Sequence, residues 1–382
     1  MTALPVCAAR KSVPATAVSA ARWAARGTRV TVLKLGSLFD GIGVFPLAAV
    51  HCGIEPVWAS EIEARPISIT KRHFPDMLHL GDITKISGAE IPPVDVITFG
   101  SPCQDLSQIG TRNGFAGKKS SLFYQAMRII EEMRYATNGR YPAFTVWENV
   151  AGAFSSNDRL DFAAMLRAFT GAEVSVPSRG WAHAGMVRGG RADTAWRLLD
   201  AQYWGEPALA QRRKRVFVVA DFAGQRAGEV LFKPRTVLPF SAIGSSGGLP
   251  ATARGGVSTA QTGRQVPIVR PFSLRRMRTM AQVGDQKGFC ASFGRGGEPF
   301  PTLLASVTAP FSFWYEGEEQ DGFLRVLTPL ECERLMGLPE NWTKYGCKNE
   351  EISDHARYRA LGNSIALPCA EYVVAGIAEV IN

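Results

Sequence analysis

Val94-Asp95-Val96-Ile97-Thr98-Phe99-Gly100-Ser101-Pro102-Cys103-Gln104 is an apolar run with the texture of a buried strand, and it ends in a turn that carries a thiol. Two other runs have the same form. Residues 30–38 lead into Phe39-Asp40-Gly41-Ile42-Gly43, a tight glycine turn, and Phe144-Thr145-Val146-Trp147 ends in Glu148-Asn149-Val150. In doubly wound sheets ligands sit at the carboxyl ends of strands, so these three tips are expected to meet at one cleft.

From residue 30 to 222 short apolar runs alternate with helical patterns. Residues 122–133 carry Leu122, Phe123, Met127, Ile129, Ile130 and Met133 as one apolar face. Residues 160–169 do the same with Phe162, Met165, Leu166 and Phe169, and Val216-Phe217-Val218-Val219-Ala220 reads as another buried strand. Such alternation predicts an α/β domain around a parallel or mostly parallel sheet. Near residue 222 the texture changes. Residues 241–266 are rich in Gly, Ser, Thr and Ala and read as loop, followed by basic and short apolar pieces. The divisions that result are a basic extension at 1–33, a first domain at 34–221, a smaller domain of irregular strands at 222–321, and a segment at 322–382. The last helix, 369–381, is expected to return to the first domain.

Composition narrows the class. A chain of 382 residues has room for a substantial core, and a formal charge of +9 suits a polyanionic partner. The positive charge gathers at residues 212–215 and 270–278, which favours nucleic acid. The seven cysteines are scattered, with no ligand spacing, so neither a disulfide framework nor a metal site is expected, and a reducing, cytoplasmic setting fits. Except for Cys103, they read as packing residues. No stretch has the length and apolarity of a membrane span. The first 33 residues contain no acid and are rich in Ala, Arg and Ser. That composition overlaps with organellar transit peptides, but a disordered tail or an upstream start codon is the expected explanation.

Taken together, Phe39-x-Gly41-x-Gly43, Pro102-Cys103-Gln104, Glu148-Asn149-Val150, Gln211-Arg212-Arg213-Lys214-Arg215, Arg325-Val326-Leu327-Thr328-Pro329-Leu330-Glu331-Cys332 and Gly362-Asn363-Ser364 resemble the DNA cytosine-5 methyltransferases, in order and roughly in spacing. The resemblance covers about residues 34–221 and 322–382 and is to stand-alone bacterial or phage members. It implies a Rossmann-like mixed sheet that is catalytic and S-adenosyl-L-methionine-binding, with residues 222–321 as a target-recognition domain and 322–382 as a hinge segment with the C-terminal helix. It implies methyl transfer to carbon 5 of a cytosine flipped out of duplex DNA. A cognate restriction enzyme is the partner this resemblance admits, and a monomer without membrane attachment is expected.

The same resemblance assigns roles. Cys103 is the nucleophile, which attacks only as thiolate. Glu148 is the acid at ring nitrogen 3, and burial against Trp147 and Phe144 is expected to raise its pKa. Arg215 holds the cytosine oxygen 2, with Arg213 beside it on the same wall. Phe39, Asp40, Gly41, Gly43, Glu61, Asp82, Pro102, Leu122, Asn363 and Ser364 contact the cofactor, with Glu61 on the ribose hydroxyls and Asp82 near the adenine amine. Gln104 and Ser107 brace the vacated stack, and Thr302-Leu303 is similar to a short recognition element of the family. Residues 110–119, glycine-punctuated and basic, have the composition of a lid. One departure stands out: Pro207 is separated from Gln211 by Ala208-Leu209-Ala210, so a different entry to that motif is expected.

Three rivals remain. The tRNA-methylating branch shares the catalytic motifs, but its Cys-Phe-Thr signature is absent, Phe289-Cys290-Ala291 being the nearest approach. A catalytically inactive DNA-binding relative has no need of Cys103, Glu148 and Arg215 together. A Rossmann oxidoreductase lacks its Gly-x-Gly-x-x-Gly fingerprint.

Overall fold

The central sheet is built around Lys34–Leu38 (β1), which pairs in parallel with both Glu55–Ser60 (β2) and Val96–Phe99 (β4). The computed structural model describes residues 32–101, 122–233, 300, 302–303 and 327–382, and the backbone of strands at 268–272, 312–316 and 323–326. Expectations for Pro102, Cys103, Gln104 and Ser107, for the lid at 110–119, and for the extension through residue 31 lie outside the described residues.

Leu78–His79 (β3) adds beside β2, and Phe144–Val150 (β5) adds in parallel beside β4. Ala184–Arg188 (β6), Asp193–Asp200 (β7) and Lys214–Asp221 (β8) complete the order β3-β2-β1-β4-β5-β8-β7-β6. β8 runs antiparallel to β5, and β7 and β6 each run antiparallel to their neighbour. The sheet is therefore mixed. The β6–β7 hairpin went unforeseen because its buried positions include Asp193 and Thr194, which break the apolar signature.

Both faces are covered. Val44–His51 (α1), Ala227–Leu231 (α5) and Leu367–Ile381 (α8) cover one face, with Leu35, Phe144, Val146, Phe217 and Val219 beneath them. Leu122–Ala136 (α3) and Leu160–Thr170 (α4) cover the other, over Ile97, Phe99, Trp147, Val216 and Val218. Successive residues of β8 feed opposite cores, which is why strands of this kind read as unbroken apolar runs. The second helix, Ala64–His73 (α2), follows β2.

Two expected boundaries shift. Leu33 is buried and its carbonyl accepts the Glu55 N–H, so the folded chain starts before residue 34. Ala227, Val230 and Leu231 are fully buried in the main core, so the first domain runs past 221 to at least 231. Beyond it, Ile268–Phe272 (β9), Ser312–Glu316 (β10) and Phe323–Val326 (β11) form a separate antiparallel sheet of order β11-β10-β9.

The segment Leu327-Thr328-Pro329-Leu330-Glu331-Cys332 is a helix start. Thr328 caps Pro329–Leu335 (α6) by accepting from the Glu331 N–H, Glu331 accepts from the Thr328 N–H, and Pro329 occupies the first turn. Asp354–Asn363 (α7) then leads through Ser364 to α8. Cys347, expected to pack, is exposed, whereas Cys332 and Cys369 are buried. No single described helix is long and apolar enough to cross a membrane.

Candidate active site

Parallel strands deliver their tips to one edge of the sheet. In the order β3, β2, β1, β4, β5 these tips carry Asp82, Glu61, the turn 39–43, Gly100-Ser101 and Glu148. β8 enters the sheet at that same edge because it is antiparallel. Its register sets Arg215 opposite Val150, which makes Glu148 the diagonal neighbour on the same face. Arg215 Nε lies 3.0 Å from Glu148 Oε1, and both side chains are largely buried. The approach is an ion pair rather than an aligned hydrogen bond, since Oε1 has no geometrically satisfactory donor. Burial raises the Glu148 pKa, opposed first by Arg215 and then by Arg213. The expectation of a carboxyl pushed toward its protonated form is met, and the cause is desolvation.

Gly100-Ser101, which leads toward Cys103 in the chain, is held against this carboxyl. Trp147 Nε1 donates to Ser101 Oγ at 3.0 Å, and Asn149 Nδ2 donates to the Ser101 carbonyl at 3.0 Å. The residues on either side of Glu148 thus fix the residue two before Cys103. A Cβ placed on Gly100 would sit 3.1 Å from Glu148 Oε2, so any side chain there would press on the carboxyl and shift it by a few tenths of an ångström. Ser101 and Asn149 were not singled out from the sequence, because their value lies in a cross-strand contact.

At the other end, Phe39, Gly41 and Gly43 all have left-handed backbone, with φ of 54°, 59° and 78°. Gly43 is constrained twice, since a Cβ there would also lie 2.8 Å from Thr70 Cγ2. Glu61 organises this turn. Its Oε2 accepts the Gly41 N–H at 2.9 Å, and Oε1 accepts the Ile62 and Glu63 N–H groups at 2.7 and 2.9 Å. A carboxylate offers about four lone-pair positions, so capacity for a ligand hydroxyl remains. Trp342, missed in the sequence, donates its indole N–H to the Ile42 carbonyl at 2.8 Å and stacks on His73. Ile62, the residue after Glu61, is exposed.

Asp82 caps the turn at 83–85: its Oδ1 accepts from the Thr84 N–H and hydroxyl at 2.9 and 2.8 Å, which lowers its pKa. Ser60 Oγ donates to the Gly81 carbonyl at 2.7 Å and draws this tip toward Glu61. Leu122 opens α3 and is half-buried, and Asn363 is exposed at the end of α7.

Asp40 stands apart. Both carboxylate oxygens are closed off from solvent and neither has a donor in good hydrogen-bond geometry, the Ser37 hydroxyl being the polar group beside them. Burial pushes its pKa up to about 7; the Ser37 hydroxyl opposes the rise and the Glu61 charge adds to it. A raised carboxyl pKa means that the folded protein keeps a proton the unfolded chain releases. Stability is therefore lost as pH climbs from about 4 to 7, and the full penalty applies above 7. Asp40→Asn is expected to shift the stability difference from wild type by about 3 kcal/mol in the variant's favour over that range. Denaturant titrations at pH 4.5 and 8 measure this, and parallel pH profiles for the two proteins would refute it.

Arg213, expected on the wall beside Arg215, is turned elsewhere. Its guanidinium is buried and donates to the carbonyls of Leu303 and Gly362, each at 2.9 Å, and of Ser364. Three carbonyl acceptors hold the fork in the interior. Leu303, expected to face DNA, is packed in the core, and the Thr302 hydroxyl donates its proton to the Arg212 carbonyl at 2.6 Å. Within 212–215 only Arg212 and Lys214 are exposed, so this run is not simply a phosphate-facing surface. The departure before Gln211 is accommodated inside: Ala208, Leu209 and Ala210 are all buried in the core.

Relatives carry related chemistry in their names. The chain is 24% identical over 460 residues to a DNA N-6-adenine-methyltransferase of Escherichia phage P1, covering 89% of this chain and spanning 60% of that protein. It is 26% identical over 358 residues to the Type II methyltransferase M1.ScrFI of Lactococcus lactis subsp. cremoris, covering 91% of this chain and 79% of the relative. In fold it is similar to the Dnmt2 methyltransferase of S. pombe, with a TM-score of 0.55 at 16% identity over 92% of this chain and 99% of that one. The family description C-5 cytosine-specific DNA methylase matches residues 33–233 and 265–379, which include every strand tip described above. With its carboxyl–arginine pair, its glycine turn and its cysteine stem all inside that match, the chain belongs to the C-5 cytosine-specific DNA methylase family.

Proposed function

We propose that this protein transfers a methyl group from S-adenosyl-L-methionine to carbon 5 of a cytosine flipped out of a specific duplex DNA sequence, through thiolate addition at carbon 6. The observation that carries the proposal is the buried Glu148–Arg215 pair, joined through Trp147 and Asn149 to the stem of the Cys103 turn. The chemistry needs these parts together. As the Cys103 thiolate forms a bond to carbon 6, the ring electrons move toward nitrogen 3 and are met there by the proton of Glu148. Arg215 holds oxygen 2 and balances the developing charge. Carbon 5 would then take the methyl group that the bound cofactor supplies, the methyl–sulfur bond breaking with its electron pair left on the sulfur. Loss of the carbon 5 proton to a base expels the thiolate from carbon 6, and nitrogen 3 returns its proton to Glu148. Splitting one hard step in this way is nucleophilic catalysis.

The cofactor end of the site suits a cationic nucleoside. A buried carboxyl with both oxygens unspent, Asp40, fits a ligand bearing positive charge, and Glu61 retains capacity for a ribose hydroxyl. When bound, S-adenosyl-L-methionine supplies an electrophilic methyl group on a positively charged sulfur. Asn363 and Ser364 are assigned to the cofactor side by the family resemblance, and the exposed Ile62 side chain offers an apolar surface beside Glu61. Glu61→Ala is expected to raise KM for the cofactor about 10- to 100-fold with little change in kcat, as loss of a charged hydrogen-bonding group from uniform binding does. Loss of kcat at unchanged KM would remove the ribose assignment.

Target choice is proposed to lie in the segment from about 232 to 321, with phosphate contacts that make binding salt-dependent. A cognate restriction enzyme and a monomeric state belong to the same proposal. The test is methyl transfer with labelled cofactor to duplex DNA and to tRNA in parallel. Label in carbon 5 of DNA cytosine is the expected result, whereas label confined to tRNA, or to adenine, would overturn the proposal.

A further inference from the structure

We propose that Arg213 is a positioning residue that joins the recognition segment to the cofactor end of the site, acting through backbone carbonyls and not on the cytosine. The inference rests on the reading of Asn363 and Ser364 as cofactor-side residues.

Three stretches of chain, far apart in sequence, meet at this guanidinium. The first is 210–215, which ends in Arg215 on β8. The second is the pair 302–303, at a separation of 90 residues, and the third is 362–364, at separations of 149 and 151 residues. The first two stretches are also zipped together by backbone. Gln211 bridges Phe300 in parallel, Arg212 N–H donates to the Phe300 carbonyl at 2.6 Å, and Phe300 N–H donates to the Ala210 carbonyl at 2.7 Å. Thr302 adds its hydroxyl bond to Arg212, and Leu303 is anchored in the core beneath. The third stretch has its link to the first in the Arg213 side chain, through the carbonyls that flank Asn363.

Arginine is suited to this place and lysine is not. A planar fork presents divergent donors in one rigid plane, so a movement of any one carbonyl is felt by the others, whereas an ammonium is a point charge on a flexible stem. Burial and the charge of Arg215 push the Arg213 pKa down to about 9, which leaves it a cation at neutral pH. Its hydrogen bonds to carbonyls are accordingly charge-assisted. Two residues along the chain, Arg215 holds Glu148. DNA engagement of the recognition segment, passed on through its anchor at 302–303 where Leu303 is buried, and cofactor engagement of 363–364 therefore act on one junction next to the catalytic pair. Binding at either end is reciprocally linked to the other.

The experiment uses the full chain and S-adenosylhomocysteine with no DNA present. Arg213→Lys is expected to weaken its binding about tenfold and to raise KM for both cofactor and DNA more than it lowers kcat. Wild-type hydrogen exchange provides a measurement that does not depend on any variant folding. S-adenosylhomocysteine alone is expected to slow exchange of the Arg212 and Phe300 amides. Unchanged S-adenosylhomocysteine affinity with lost turnover would make Arg213 a direct base contact, and a change in melting temperature alone would make it a passive brace. Exchange protection confined to residues 39–63 also overturns the junction. If the wild type binds no S-adenosylhomocysteine at all, it is the proposed function that fails; binding with neither readout moved refutes the junction alone.

Discussion

Cys103→Ser is expected to reduce turnover below detection while cofactor binding without DNA stays within about twofold of wild type. A serine hydroxyl is far less acidic than a thiol, so the attacking anion is absent at neutral pH, and only the thiolate is a competent nucleophile. The substitution is close to isosteric, and the turn's stem is secured independently by Trp147 and Asn149 on Ser101, so misfolding does not account for the expected loss. Duplex DNA carrying 5-fluorocytosine adds a positive readout, because fluorine cannot leave as the carbon 5 proton does. Wild type should form a covalent adduct in the presence of cofactor and the serine variant should form none. Turnover by the variant, or an adduct with it, would take the nucleophile's role from Cys103.

Glu148→Gln is expected to lower kcat by about 10²- to 10⁴-fold, the usual reach of a positioned general acid. Glutamine keeps the volume and leaves a carbonyl oxygen for Arg215, so the variant removes the acidic proton and little else. Glu148→Ala would be a poorer test, since it strands a mostly buried arginine. Burial raises the Glu148 pKa and Arg215 opposes the rise, so the protonated fraction falls as pH climbs through that pKa. Wild-type kcat should accordingly carry a downward limb on the alkaline side that the glutamine variant lacks. A variant within threefold of wild type, or one that keeps the limb, would show that nitrogen 3 receives its proton elsewhere.

The strand tips were legible because their signals are local. An apolar run of four to seven residues closing in a loaded turn identifies the end of a buried strand wherever the strand lies in the sheet. Phe39-Asp40-Gly41-Ile42-Gly43 and Thr328-Pro329-Leu330-Glu331 carry their turn and cap chemistry within a few residues. Burial of Glu148 followed from the same reasoning, since a carboxyl after Phe144-Thr145-Val146-Trp147 in a central strand has apolar neighbours on either side.

What the sequence by itself determined is therefore the α/β class, the placement of the chemical groups at strand tips, and the family; their order along the sheet came from the topology. Only the tertiary structure decided which of two similar arginines pairs with Glu148. Arg213 and Arg215 are alike in type and spacing, yet one is bound by carbonyls 90 to 151 residues away and the other faces Glu148 across an antiparallel pair. Nothing in Gln211-Arg212-Arg213-Lys214-Arg215 encodes that difference, because backbone carbonyls have no sequence signature. The same holds for Leu303, which a short Thr-Leu element placed on the DNA but the core claims, and for Trp342, whose indole reaches the Ile42 carbonyl across 300 residues. Turn and cap chemistry is settled between near neighbours. The direction of β8, the docking of 300–303 and the partner of each buried donor are settled by how the remote parts of the chain pack.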